Sequence, residues 1–155
     1  MMKNKVKFAV VGAGHIGKRH AEMIMRESDA ELVALVDCRS QKECEAERFD
    51  VPFFSSIEEL LSSSLDIDVV NICTPNGLHA SQSLKALEHK KHVVCEKPMG
   101  LSKDNCERII FKALEVSKQV FCVMQNRYSP PSVWLKEITK KKLLGDIFMV
   151  QVNCY

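Results

Sequence analysis

The stretch Lys5–His20, KVKFAVVGAGHIGKRH, decides the fold. Lys5 to Val11 is a short apolar run rich in β-branched residues, which reads as a buried strand. Gly12-Ala13-Gly14-His15-Ile16-Gly17 follows it without a spacer and opens a segment of helical period, Ile16 to Glu27, with Ile16, His20, Met23 and Ile24 on one face. A G-x-G-x-x-G between a strand and a helix is the turn that cradles a pyrophosphate. Gly12 permits the tight turn, Gly14 lets the backbone approach the phosphates, and Gly17 lets helix and strand pack closely. The N–H groups of the first helical turn, at His15, Ile16 and Gly17, and the partial positive charge of the helix end then face the anion.

Working outward, strands and helices alternate. Glu31 to Val36 is a second strand, Ser40 to Phe49 a polar helix, and Phe53-Phe54 a short third strand after Pro52. Ile57 to Leu61 is a short helix and Asp66 to Cys73 a fourth strand. A helix carrying Ala80, Leu84 and Leu87 follows Pro75, and His92 to Cys95 is a fifth strand. Ser102 caps a long helix with Cys106, Ile109, Ile110 and Ala113 on one side, and Val120 to Met124 is a sixth strand. Near-continuous apolar strands alternating with helices predict an α/β fold with a doubly wound parallel sheet, the Rossmann arrangement.

The C-terminal end has a different pattern. Pro130 and Pro131 interrupt it, Ser132 to Leu144 reads as a helix whose Lys136, Lys140, Lys141 and Lys142 form a solvated face, and Asp146 to Tyr155 alternates like a half-buried strand. A lone strand with one apolar face has no sheet to join. The expected organisation is therefore a nucleotide-binding domain over 1–126, then a linker helix and the first strand of a truncated second α/β domain over 127–155.

Composition sets the outer limits. The chain has 155 residues, 46% of them hydrophobic and 27% charged, which excludes a disordered tail and a disulfide miniprotein. Lys plus Arg is 22 against 20 for Asp plus Glu, too small an excess to track a phosphate backbone, so no nucleic acid partner is expected. No apolar run reaches membrane-spanning length, and the short one after the basic Met1–Lys7 leads into glycines and charges, so neither a membrane partner nor a targeting segment is expected. The seven cysteines are odd in number and lack a CxxC. Cys73, Cys95 and Cys122 fall in apolar strands, and buried free thiols point to a reducing, cytoplasmic location; their spacing suits no zinc site.

The chemistry-bearing residues gather at strand ends. Asp37 closes the second strand 20 residues after Gly17, where an acid accepts hydrogen bonds from the adenosine ribose hydroxyls. It favours NAD over NADP, since a 2′-phosphate would meet a carboxylate; Arg39, two residues on, could pair with such a phosphate or stand exposed. A methyltransferase shares the glycines and the acid but gives no reason for the next two motifs. Thr74-Pro75-Asn76-Gly77-Leu78-His79 follows the fourth strand and so faces the same crevice, outside the carboxyl ends of the strands. Asn76 is an acceptable helix cap, and His79 read alone is structural. Cys95-Glu96-Lys97-Pro98 ends the fifth strand and reads either as a cation aimed at the crevice or as a surface ion pair.

Together GAGHIGKRH (12–20), VD (36–37), TPNGLHA (74–80), CEKP (95–98) and QNRYSP (125–130) resemble the glucose–fructose oxidoreductase, inositol dehydrogenase and MocA family. CEKP, QNRYSP and LLGDIFMVQVNCY (143–155) look most like members acting on nucleotide-activated amino sugars. The resemblance implies an NAD(P)-dependent oxidoreductase that moves a hydride between nicotinamide and a hydroxyl carbon of a sugar, nucleotide sugar or polyol. Lys97 would be the catalytic residue, touching the substrate hydroxyl and the nicotinamide end of the cofactor. Glu96 would bind the nicotinamide ribose, and Thr74, Pro75, Asn76 and His79 would line the cofactor groove. Gln125 would lie near nicotinamide, with Asn126 and Arg127 near substrate. The resemblance also implies a cis Lys97–Pro98 bond, a homo-oligomer formed through the second domain, and a further catalytic histidine beyond residue 155, so that this chain alone would bind cofactor and turn over little. The alternative is a non-catalytic NAD-binding module serving as a redox sensor or assembly subunit.

Overall fold

The computed structural model describes residues 5–153. By its internal contacts the chain divides into two compact units, Met1–Val123 and Met124–Tyr155.

The first unit is a parallel sheet of six strands, β1 (Val6–Val11), β2 (Ala30–Val36), β3 (Phe53–Phe54), β4 (Val69–Ile72), β5 (His92–Cys95) and β6 (Val120–Cys122), in the order β3-β2-β1-β4-β5-β6. Strands leave β1 in both directions, so a crevice opens between β1 and β4 at their carboxyl ends. Helices α1 (His15–Arg26), α2 (Ile57–Ser62), α3 (His79–Glu88) and α4 (Lys103–Glu115) cover the sheet.

Period-two alternation sorts the strand side chains into two cores. Ala9, Val11, Val70, Ile72, Val93 and Cys95 face α2, α3 and α4, which contribute Leu60, Leu87 and Ile109. Val10 and Leu35 face the other way, against Ala21 and Ile24 of α1 and against Cys44, Ala46 and Phe49. The β1–β2 register slips between Phe8 and Ala9, where Leu32 and Ala34 are the successive partners, so Leu32 and Leu35 share a face although three residues apart.

Three expectations change. The buried face of α1 is Gly17, Ala21 and Ile24, while Ile16 and Met23 are exposed. At its first turns the helix lies too close to the sheet for a large side chain, so the glycine and alanine set the seam there, and Ile24 packs into the core further along. The polar helix at Ser40–Phe49 is a single turn followed by a 3-10 turn at Glu47–Phe49. Its Ala46 N–H donates to the Gln41 carbonyl and its Glu45 N–H to the Lys42 carbonyl, with Glu45 in the left-handed region at φ 51°. That pattern ends a helix, and stopping there lets Cys44, Ala46 and Phe49 all turn into the core. Finally, no strand forms among the described residues of 146–155. Phe148 is 94% exposed and Val152 84%, because a strand needs a ladder partner for its backbone groups; Cys154 and Tyr155 lie outside the described residues.

The second unit holds a 3-10 turn, Gln125–Tyr128, and helix α5 (Pro130–Lys140), which starts on proline, where a missing N–H costs nothing. Lys136, Lys140, Lys141 and Lys142 are exposed.

Candidate functional site

A cleft of about 730 Å³ lies in the first unit beside the glycine turn. Each glycine of the turn answers to a different constraint. Gly12 has φ +95°, and a Cβ there would stand 2.7 Å from the Cys73 carbonyl, so this glycine lets β1 pass the end of β4. A Cβ on Gly17 would stand 1.7 Å from the Gly12 carbonyl oxygen, so this one seats α1 on the strand. A Cβ on Gly14 would meet nothing within 4 Å. Its backbone is extended at φ −72°, so neither packing nor torsion calls for glycine there. What glycine leaves at Gly14 is room on the cleft wall.

The helix that starts there is uncapped. Ser56 Oγ accepts the Glu59 N–H at α2 and Ser102 Oγ accepts the Asn105 N–H at α4, whereas Gly14 offers α1 no side chain and its first turn holds no acid. The positive end of the helix therefore opens on the cleft with no cap or acid from its own residues.

Asp37 leaves the end of β2 and turns toward the same loop. Its Oδ2 accepts the Ala13 N–H at 2.9 Å, and its Oδ1 accepts the Arg39 N–H at 3.0 Å. The Arg39 guanidinium grips both oxygens, Nε to Oδ1 at 3.0 Å and Nη2 to Oδ2 at 3.1 Å. Burial pushes the carboxyl pKa up, but the guanidinium and the two backbone donors outweigh it and bring it down to about 2. The carboxylate is ionised and 9% exposed.

On the other side of β1, Thr74 and Pro75 line the cleft. Thr74 Oγ1 donates to Gln82 Oε1 at 2.6 Å. His79 does not line it: the side chain is 1% exposed, Nε2 lies 2.7 Å from the Thr74 carbonyl oxygen and Nδ1 2.8 Å from that of Pro98. The ring ties the turn after β4 to the turn after β5. Asn76 opens an exposed 3-10 turn, Asn76–Leu78, and caps nothing with its side chain. Burial raises the Cys73 thiol well above the ordinary range and Cys95 to about 11, which leaves both as protonated packing groups.

Glu96 and Lys97 follow β5, and the Lys97–Pro98 peptide is cis. Lys97 is exposed, and its N–H donates to Glu96 Oε2 at 3.2 Å. Gln125, Asn126 and Arg127 form the exposed 3-10 turn of the second unit. Of the residues singled out from sequence, Gly12, Gly14, His15, Ile16, Asp37, Arg39, Thr74 and Pro75 thus share the cleft wall, and Gly17 packs beneath it.

Sequence reasoning missed Ser55, Glu58 and Lys85 on the wall, where the last two pair across α2 and α3. It also missed the contact of His20 with Glu96 and Asn71. The one available signal was Asn71 itself, a lone amide inside the apolar run of β4.

A parallel sheet in the order 3-2-1-4-5-6, with a glycine turn, an uncapped helix and an acid beyond the second strand, defines a dinucleotide-binding class of domain. The comparisons with known proteins narrow it. A family model described as an oxidoreductase family with an NAD-binding Rossmann fold, GFO_IDH_MocA, matches residues 6–124, and the chain belongs to that family. It is 38% identical over 142 residues to an uncharacterized oxidoreductase of Streptococcus pneumoniae, covering 92% of this chain and 38% of that one. It is 29% identical over 151 residues to D-glucoside 3-dehydrogenase of Escherichia coli, covering 96% and 43%. Among solved structures, the WlbA dehydrogenase of Bordetella pertussis, in complex with NADH and UDP-GlcNAcA, superimposes with a TM-score of 0.88 at 28% identity, over 94% of this chain and 45% of that one. The chain spans about two fifths of the length of the relatives it matches. No helix among the described residues is long and apolar enough to cross a membrane.

Proposed function

We propose that this chain is the cofactor-binding part of an NAD-dependent dehydrogenase acting on a hydroxyl carbon of a sugar, nucleotide sugar or polyol. One observation carries the reading: the Asp37 carboxylate is anchored to the Ala13 N–H of the glycine turn. That bond sets a ribose acceptor beside a phosphate cradle, the two features an adenosine diphosphate needs next to each other. Gly14 and the uncapped start of α1 would take the pyrophosphate, with His15 and Ile16 along it. Asp37 would take the adenosine ribose once Arg39 turns aside. Thr74 and Pro75 would flank the cofactor, and Glu96 would hold the second ribose.

When bound, the nicotinamide ring supplies the hydride acceptor. Lys97 would donate a hydrogen bond to the substrate hydroxyl and stabilise negative charge on its oxygen as the proton leaves. On the same reading Gln125 would serve the nicotinamide, and Asn126 and Arg127 the substrate. The general base, most of the substrate pocket and the surface for assembly into an oligomer would come from further chain, in line with relatives more than twice as long. Asp37 favours NAD over NADP, since an ionised acid repels a 2′-phosphate.

Titration calorimetry of this chain with NAD(H) and NADP(H) tests the reading. Heat of binding with NAD(H), weaker heat with NADP(H) and no sugar oxidation by the chain alone are expected. Absence of heat with either coenzyme, from folded protein, would overturn it.

A further inference from the structure

His20, Asn71 and Glu96 come from α1, β4 and the turn after β5, and they meet on one face of the sheet. The geometry follows from alternation. Val70 and Ile72 face the α3 side, so Asn71 faces α1; Cys95 faces the α3 side, so Glu96 faces α1 as well. Asn71 Nδ2 lies 3.0 Å from His20 Nδ1, and His20 Nε2 lies 3.0 Å from Glu96 Oε1. Glu96 Oε2 in turn accepts the Lys97 N–H. Asn71 is 4% exposed, and the His20 and Glu96 side chains are 16% exposed each.

The chemistry of the three groups orders the chain of bonds. A carboxylate only accepts, so the ring nitrogen facing Glu96 carries the proton. An imidazole with one proton has a bare second nitrogen, and the Asn71 amide supplies the donor it needs. Asn71 does so at a cost in packing: its Oδ1 is buried with no hydrogen-bond partner. An apolar residue would fill that place in a central strand with no orphaned atom. The amide therefore serves the ring rather than the core.

We infer that His20 is a positioning residue: fixed by Asn71 with its proton on Nε2, it holds the Glu96 carboxylate, and through it the Lys97 backbone, in the arrangement that meets the nicotinamide-side ribose. The inference rests on the reading of Glu96 given above. Holding one glutamate rotamer in advance removes the ordering cost that a free side chain would impose on the ligand.

Two measurements on this chain test it. Long-range proton–nitrogen spectra of the His20 ring should show a protonated Nε2 and a bare Nδ1, and Asn71→Leu should weaken that preference, which Glu96 alone then supports. In NAD titrations, His20→Leu should weaken binding about tenfold. His20→Gln, whose amide nitrogen reaches the same carboxylate, should stay within about threefold of the original chain. In a Glu96→Gln background, His20→Leu should add nothing further, which a general loss of packing would not reproduce. If His20→Leu does not fold, His20→Gln and the ring spectra decide the matter. A protonated Nδ1, or unchanged NAD affinity in His20→Leu, overturns the inference. If the original chain took up no NAD at all, the cofactor reading would fall, and the ring spectra would still judge the positioning of Glu96 separately.

Discussion

Two carboxylates of the first unit, Asp37 and Glu96, are held in opposite ways. Asp37 is fixed from close by: three of its donors, the backbone N–H, Nε and Nη2, belong to Arg39, two residues on, and another is the Ala13 N–H in the neighbouring loop. Glu96 is fixed from far away, by a histidine 76 residues earlier that is itself set by a strand residue 51 positions beyond it. The first arrangement survives wherever β1 and β2 stay paired. The second exists only when α1, β4 and β5 are all in place. The hold on Asp37 is thus a local device, and the hold on Glu96 reports on the packing of the whole first unit.

Gly17→Ala is the sharpest way to break both ends at once, because α1 carries the glycine turn at its start and His20 further on. A methyl group at 1.7 Å from the Gly12 carbonyl must push the helix off the sheet, and the loss should exceed about 3 kcal/mol in urea unfolding. Gly14→Ala, with open space at the same turn, should cost about 1 kcal/mol or less while weakening NAD binding. Equal losses of stability would mean that Gly14 and Gly17 share one role.

Lys97→Ala separates chemistry from anchoring at the nicotinamide end. In an active enzyme of the relatives' length that carries this chain, turnover should fall about a hundredfold or more, with NAD affinity nearly unchanged. The reverse pattern would make Lys97 a cofactor anchor. At the adenosine end, Asp37→Ala removes charge-assisted bonds worth about 1.5–3 kcal/mol, so NAD affinity should drop at least about tenfold. The same change frees the Arg39 guanidinium from its bidentate partner, and NADP should gain on NAD. If the preference between coenzymes does not move, Arg39 takes no part in it.

What was legible in the sequence follows the same division. The glycine turn, Asp37 and the succession of strands and helices could be read because each depends on residues adjacent in sequence. The extent of the helix at Ser40–Phe49 could not: its polar residues suit a helix, but burying Cys44, Ala46 and Phe49 together favours one turn closed by a left-handed Glu45. His79 shows why a motif residue near a crevice need not line it. Two backbone carbonyls, one from each flanking turn, draw its ring inward. The His20 contact was hidden because no local pattern links residues 20, 71 and 96; only the lone amide in an apolar strand hinted at it. At 146–153 alternation was visible but not sufficient, since no strand among the described residues lies there to be paired.

The smallest effect concerns acid. The Asp37 carboxyl is held down from 3.8 to about 2 in the folded chain, where burial works against the shift and the Arg39 and Ala13 donors prevail. A carboxyl with a lowered folded pKa contributes stability that is fully present above its unfolded value, near pH 4, and lost as pH falls through about 2. The contribution is at most about 2 kcal/mol. Asp37→Asn lacks this proton linkage, and the other carboxylates titrate alike in both proteins. The stability difference between the original chain and Asp37→Asn should therefore hold steady from pH 7 to about pH 5 and shrink by up to about 2 kcal/mol on going to about pH 2. Denaturant unfolding at several pH values measures it. Because the donors that hold Asp37 are local, the decline should follow its own titration and precede any cooperative acid unfolding. A difference that stays flat to pH 2, or collapses only together with the whole unit, would show that the hold on Asp37 depends on global packing as much as the hold on Glu96 does.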